Sequence, residues 1–165
     1  MKPILPAALA LLALGACHSQ PAAAPEATQS AQAGVLVSGG RLVLPAVPGH
    51  PAAAYFTIAN QSGKATSITG IAIDGAGKAE MHITKGGAME PLAKLDLAAG
   101  ETALFSPGGR HVMVFDLAPK LAAGGNTSIT FTFADGSTLN AQVQIESAGG
   151  ATGMAPMDHM DHSKM

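Results

Sequence analysis

The stretch Ile129-Thr-Phe-Thr-Phe-Ala-Asp-Gly-Ser-Thr-Leu-Asn-Ala-Gln-Val-Gln-Ile145 decides the fold class. Apolar residues alternate with threonine in its first half and with asparagine or glutamine in its second half. This two-residue period is typical of strands that bury one face and expose the other. The connection between the halves contains Asp135-Gly136, which favours a tight hairpin turn. The stretch therefore predicts a β-hairpin with one apolar face.

Short runs of the same kind recur between glycine and proline turn signals. Between Gly34 and Glu146 no segment has the long, capped 3.6-residue period of a helix, and no internal repeat is evident. The pattern predicts an all-β domain, built as an antiparallel sandwich or barrel. The other predicted strands cover residues 35–37, 41–44, 53–59, 67–73, 79–84, 102–105 and 111–117.

The two ends of the chain differ in composition from this domain. Residues 1–16 carry Lys2 and then an apolar run too short to span a bilayer comfortably, which is typical of a secretory signal. The run ends at Leu14-Gly-Ala-Cys17, which resembles a bacterial lipobox, so Cys17 is predicted to carry lipid and to hold the chain at a membrane. The alternative is an ordinary cleaved signal with an incidental cysteine. Residues 17–33 read as a flexible linker, 34–146 as one domain and 147–165 as a flexible tail.

Charge and cysteine content exclude several classes of function. The chain has 9 basic and 11 acidic residues, and loss of Lys2 with the signal leaves 8 against 11, a formal net charge near −3. A nucleic-acid-binding protein needs a basic footprint, so that class is disfavoured. Cys17 is the single cysteine, so the domain needs no disulfide in an oxidising compartment. An exported monomer of the periplasm or cell envelope is expected.

Four soft-metal ligands in the middle of the chain are its most informative chemical feature: His82, Met89, His111 and Met113. Residues two apart on a strand project from the same face, so His111 and Met113 can converge on one ion. Imidazole and thioether together suit a soft ion such as Cu(I) and not Mg, Ca or Mn. Each residue alone has an ordinary explanation, because methionine often fills gaps in cores. Met81 should point to the opposite face, into the core.

Other chemistries fit the sequence less well. A blue-copper electron-transfer site requires a cysteine thiolate, and the domain has none. A catalytic zinc site would use three histidines or histidine with carboxylate. The nearby acids Glu80 and Glu90 are read as solvated strand edges. No Gly-x-Ser-x-Gly motif marks a serine nucleophile. We therefore expect a protein that is not an enzyme.

Over nearly all of residues 34–146 the chain resembles the PCu(A)C periplasmic copper chaperones. The motif Pro107-Gly-Gly-Arg-His-Val-Met113 carries most of the resemblance. The family's ligand pattern is His, ten residues, Met, twenty-one residues, His, one residue, Met; here only Ile83 to Ala88 separate the first histidine from the first methionine. The other matching pieces are Ala52-Ala-Ala-Tyr-Phe-Thr-Ile-Ala-Asn60, Glu80-Met-His82, Met89-Glu-Pro91, Leu97-Ala-Ala-Gly100 and Phe131-Thr-Phe-Ala-Asp-Gly136.

The resemblance implies a Greek-key, cupredoxin-like β-barrel or sandwich. It also implies a Cu(I) site formed by His82, Met89, His111 and Met113. Finally, it implies that the ion is passed toward cytochrome c oxidase, above all toward its CuA centre. Because the first gap is six residues and not ten, a shortened hairpin is expected, and Met89 is the ligand that this departure affects.

A second soft cluster closes the chain, with six methionine or histidine residues in its last twelve positions. Histidine with aspartate suits Cu(II), and methionine suits Cu(I), so the tail favours a separate copper-capturing arm with Cu(II) bound by its histidines. The alternative is a frayed end with chance methionines. The tail ligands would be Met154, Met157, His159, Met160, His162 and Met165.

Two other functions stay open at this point. One is a copper-buffering or resistance lipoprotein that sequesters the ion at the envelope, which the tail favours. The other is a metal-free β-sandwich for adhesion or assembly, in which the ligands are incidental. Transfer of Cu(I) to an apo CuA domain would separate the chaperone from the buffer, and failure to bind Cu(I) would favour the adhesion module.

Overall fold

A computed structural model of the protein describes residues 34–149, which form ten strands and no helix. The predicted signal (1–16), lipidated Cys17, the linker (17–33) and the six tail ligands from Met154 to Met165 lie outside these residues. The described part contains no helix that is long and apolar enough to cross a membrane. The strands are β1 Val35–Leu44, β2 Ala52–Asn60, β3 Thr66–Ile73, β4 Ala76–Lys85, β5 Ala88–Pro91, β6 Leu95–Leu97, β7 Thr102–Phe105, β8 Arg110–Leu117, β9 Asn126–Phe133 and β10 Thr138–Ser147.

The strands form one sheet in the order β5-β4-β8-β7-β2-β1-β10-β9-β3-β6, with a further pairing of β8 to β2. Most neighbours are antiparallel, and β1 with β10 is a parallel pair. The hydrogen-bonded sheet is not closed, because β5 and β6 form its two edges. The all-β prediction is confirmed, and every predicted strand is present. The strands β5 and β6 were not predicted, and the two runs expected at 35–37 and 41–44 form one strand.

The join within β1 is a β-bulge. Its pairing with β2 shifts register between Ser38 and Arg41, and Gly39 within the shift has a φ of 61°. This left-handed conformation costs little only for glycine, so the Gly39-Gly40 pair lets the strand bend and continue. The same two glycines interrupt the sequence pattern, which is why the strand reads as two.

The core forms where the apolar faces of the strands meet. Phe56 stacks on Phe105 with ring centroids 4.3 Å apart and meets Phe131 edge-on at 5.0 Å. All three side chains are buried, and full burial of a phenylalanine stabilises the fold by roughly 1.5–3 kcal/mol. The alternating residues of β9 and β10 behave as expected, since Phe131, Leu139 and Val143 are all buried.

One buried polar residue joins the loops beside this core. Asn60, at the end of β2, is 0% exposed. Its Nδ2 donates to the carbonyl oxygens of Lys64, Leu97 and Ala98, at 2.8, 3.1 and 3.0 Å. Its Oδ1 accepts hydrogen bonds from the backbone N–H and the hydroxyl of Ser62. Asn60 thereby connects the β2–β3 loop to the end of β6. Its side-chain amide can be buried here because both of its polar atoms have hydrogen-bond partners.

Candidate metal centre

The register of β4 and β8 brings the two predicted histidine ligands opposite each other. His82 and His111 are Cα partners, and their rings are 6.0 Å apart between centroids and inclined by 23°. Met113 lies two residues beyond His111 and is the Cα partner of Glu80. Cross-strand partners share a face of the sheet, and so do residues two apart on one strand. The side chains of His82, His111, Met113 and Glu80 therefore lie on one face. The alternate residues Met81 and Val112 are buried in the core on the other face, which confirms the prediction made for Met81.

A tight turn before β8 fixes the ring of His111. The N–H of Gly109 donates to the carbonyl of Ser106 at 3.0 Å, with Pro107 second and Gly108 third at a φ of 77°. Proline followed by glycine with positive φ is the signature of a type II turn. The turn leaves the Gly109 carbonyl beside Nδ1 of His111, at 3.0 Å. Because a carbonyl only accepts, Nδ1 carries the proton, and Nε2 keeps the lone pair that a metal requires.

His82 is unusual because both of its ring nitrogens are buried without a hydrogen-bond partner. Its nearest charged neighbour is Glu80, whose Oε2 lies 3.8 Å from Nε2, too far for a hydrogen bond. Leaving a buried polar group unsatisfied costs about 1–3 kcal/mol. The spacing of the two rings leaves room for one ion, since a metal–imidazole bond is about 2 Å long. The geometry is therefore that of a site that a ligand would complete.

The short β4–β5 hairpin decides where Met89 lies. Lys85 pairs with Ala88 across Gly86 and Gly87, whose φ values of 56° and 86° are those of a two-residue type I′ turn. Met89 is then the partner of Thr84, and Thr84 shares the face of His82. The shortened hairpin that the six-residue gap implied is present. It places Met89 on the ligand face, on a wholly exposed strand, with 60% of the residue accessible.

Glu80 is the residue of this face that the sequence analysis assigned to a solvated strand edge. Its Oε1 accepts a hydrogen bond from Nζ of Lys78 at 2.8 Å. That hydrogen bond is the main reason why the pKa of Glu80 lies below its ordinary value, and the neighbouring charges act in the same direction. The carboxylate is therefore ionised beside His82. The sequence did contain a signal for this face, because Glu80 lies two residues before His82 on one predicted strand and so shares its face. Glu90 is the Cα partner of Ile83 and so shares the other face.

The predicted donor set of this face includes the thioether sulfur of two methionines. Within residues 34–149 no three His, Cys, Asp or Glu side chains come together as a metal-binding group. Zinc and calcium sites rely on such groups, whereas two imidazoles with two thioethers suit a soft ion. A cavity of about 440 Å³ lies elsewhere, beside the β2–β3 loop and the β9–β10 turn, and its lining includes none of the four predicted ligands. A metal site need not coincide with a cavity, because side chains on the face of a sheet can hold an ion at the surface.

Solved structures with the same fold are PCuAC domains. The copper-bound PCuAC domain from PmoF2 superposes with a TM-score of 0.63 at 17% identity, over 73% of this chain and 98% of that domain. The solution structure of CuI-DR1885 from Deinococcus radiodurans gives a TM-score of 0.54 at 28% identity, over 67% of this chain and 78% of that one. The cupredoxin-like fold class and the resemblance to PCu(A)C proteins are confirmed.

The chain is also similar in sequence to proteins of other bacteria. A protein of Leifsonia xyli subsp. xyli named as a "putative lipoprotein" is 32% identical over 104 residues, which cover 60% of this chain and 63% of that protein. An uncharacterized protein of Rickettsia prowazekii is 33% identical over 98 residues, which cover 56% and 54%. The chain thus spans about three fifths of the length of these relatives. The family model described as "Putative lipoprotein LpqE-like" matches residues 25–145. The chain belongs to the LpqE-like family.

Proposed function

We propose that the protein is a Cu(I) chaperone of the bacterial cell envelope, which delivers copper to cytochrome c oxidase, in particular to its CuA centre, by ligand exchange. The observation that carries the proposal is the facing pair His82 and His111, in which both ring nitrogens of His82 are buried without a partner, with Met113 and Met89 on the same face. The copper-bound state of the structurally similar PCuAC domains supports the choice of ion. Copper is the cargo in this role, and the protein need not catalyse a reaction.

The uneven burial of the ligands suits delivery. His111 is only 7% exposed, whereas Met89 is 60% exposed at the edge strand β5. Thioethers bind Cu(I) and do not impose the tetragonal geometry that Cu(II) prefers. A partner's ligand can therefore reach the ion from the Met89 side while the histidines still hold it. Delivery by such exchange requires no unfolding of the donor.

The test of this function is copper transfer. The chain loaded with one equivalent of Cu(I) is mixed with an apo CuA domain whose cysteines are reduced. The acceptor is then separated and oxidised by one electron per centre with an added one-electron oxidant, so that the purple absorption of mixed-valence CuA reports the copper it received. We expect the absorption to appear with loss of copper from the donor. A donor that binds Cu(I) tightly but never yields it would instead support the buffering lipoprotein, which the six soft ligands of the tail favour.

Replacement of Met89 by leucine tests the ligand that the short hairpin affects. Leucine keeps the volume and removes the sulfur, so we expect X-ray absorption of the Cu(I) form to show one fewer sulfur neighbour. The Cu(I) affinity should fall by about tenfold or more, since tenfold corresponds to only about 1.4 kcal/mol. Leu104→Met is a matched control at another exposed strand position, and it should leave the count unchanged. An unaltered number of sulfur neighbours in Met89→Leu would show that another methionine, and not Met89, binds the ion.

We also propose that the protein is exported and that lipid on Cys17 anchors it at a membrane face. The lipoprotein description of the family and of the Leifsonia relative supports this. In a bacterial host the full chain should be recovered with membranes, and Cys17→Ser should move it to the soluble fraction. Equal recovery of both proteins with membranes would remove the argument for the anchor.

A further inference from the structure

We propose that the two histidines bind the ion through different ring nitrogens: His111 through Nε2 and His82 through Nδ1, with Nε2–H of His82 directed at Glu80. Glu80 is then a positioning residue, clamped by Lys78, that does not itself bind the metal. The inference rests on the proposed function, since it concerns the same centre, and it names how each ring is held.

The assignment for His111 follows from the type II turn. Its Nδ1 lies 3.0 Å from the Gly109 carbonyl, which also accepts the backbone N–H of Thr84 at 3.1 Å. A carbonyl that accepts a strand hydrogen bond is held in place, so the proton on Nδ1 is fixed by backbone and not by a mobile side chain. The lone pair of His111 is therefore on Nε2, before any ion arrives.

The assignment for His82 follows from the acceptor available to it. One ring nitrogen of neutral imidazole is a donor, and both nitrogens of His82 are buried. Glu80 offers Oε2 at 3.8 Å from Nε2, and its other oxygen is already taken by Lys78 at 2.8 Å. A small approach of Oε2 toward Nε2 would give the Nε2–H group a charged acceptor. Nδ1 of His82 would then carry the free lone pair. Carboxylate–histidine–metal arrangements of this kind fix the tautomer and raise ligand basicity.

The strand period makes this arrangement geometrically consistent. Lys78, Glu80 and His82 are spaced by two residues on β4, so the three side chains follow one another along the ligand face. One carboxylate oxygen of Glu80 is held by Lys78, and the other faces Nε2 of His82. In this arrangement its negative charge acts on the ion through His82. The centre gains a fixed ring without adding a hard oxygen ligand that would favour Cu(II).

The experiment uses the ¹⁵N-labelled full chain with one equivalent of Ag(I), a redox-inert soft ion, and reads one-bond coupling between ¹⁰⁹Ag and the ring nitrogens. Each histidine is assigned separately, so the tail histidines are distinguished from those of the domain. We expect coupling at Nδ1 of His82 and at Nε2 of His111. The metal-free chain should already show Nε2–H in His82. Coupling at Nε2 of His82 would overturn the inference and leave the proposed function standing, whereas coupling at neither ring would overturn both.

Substitutions of Glu80 test its positioning role. In Glu80→Leu we expect His82 to populate both tautomers and the Ag(I) affinity to fall about 10–100-fold, the usual effect of losing such a partner. Glu80→Gln keeps an accepting oxygen and should restore the single tautomer with only part of the affinity. Glu90→Leu, on the other face of the same hairpin, is the matched control and should change neither. A single unaltered tautomer and full affinity in folded Glu80→Leu would show that Glu80 has no such role.

Discussion

Replacing His111 with glutamine and Met113 with leucine together is expected to lower the Cu(I) affinity by more than about 100-fold, because loss of an outer-shell partner alone costs about 10–100-fold and this variant removes two of the proposed ligands. Both substitutions keep most of the side-chain volume. The neighbouring Val112 and Val114 are fully buried and untouched, so the β structure should persist. The measurement is competition for Cu(I) against a chromophoric chelator, with circular dichroism to verify folding.

The matched control changes the same residue types outside the proposed centre. His50 lies in the β1–β2 loop and is exposed, and Met81 lies on the core face of β4. The double variant His50→Gln, Met81→Leu should keep the Cu(I) affinity, and the volume-conserving core change should cost less than about 1.5 kcal/mol of stability. If the His111 and Met113 variant binds Cu(I) as tightly as this control, the ligand assignment is wrong.

Replacing Asn60 with aspartate is expected to destabilise the domain by at least about 3 kcal/mol, the usual result of leaving a buried charge uncompensated. The substitution removes the Nδ2 donor that serves the carbonyls of Lys64, Leu97 and Ala98 and puts an oxygen against them. Urea unfolding measures the change. With a slope of about 1–3 kcal/mol/M for a small domain, the midpoint should fall by 1 M or more.

Asn140→Asp is the control for that substitution. Asn140 is exposed on β10, and its Oδ1 accepts a hydrogen bond from the hydroxyl of Thr130 at 2.6 Å. Aspartate can accept the same bond in contact with water, so the midpoint should move little. A comparable loss in both variants would indicate a general sensitivity to added negative charge, and it would contradict the structural role of Asn60.

The fold class was predictable because its signals are local. Alternation and the Asp135-Gly136 turn lie within one hairpin, and β9 and β10 pair as that pattern indicates. Strand β5 was not predictable in this way, since all four of its residues are exposed and carry no buried alternation. It forms a strand because the Gly86-Gly87 turn reverses the chain, so that β5 pairs with β4 in antiparallel fashion. The parallel pairing of β1 with β10 depends on distant contacts that a local pattern does not contain.

The candidate site was predictable in its residue types but not in its arrangement. Histidine and methionine at strand ends indicate soft-metal chemistry, and the resemblance selects which four. That His82 faces His111 follows only from the register of β4 and β8, which are far apart in the sequence. The position of Glu80 beside His82 was not predictable for a related reason. An acidic residue on a strand is usually solvated, and only the contact with Lys78 and the strand register show the orientation of this one.

X-ray absorption of the Cu(I)-loaded protein tests the central claim most directly. The chain is changed at Cys17 to serine and ends at Gly150, so that the only sulfur available beyond the signal is methionine sulfur of the domain. We expect two sulfur and two nitrogen neighbours around one copper ion per chain. A spectrum with only oxygen and nitrogen neighbours, and therefore no sulfur, would contradict the assignment of a methionine-containing copper site.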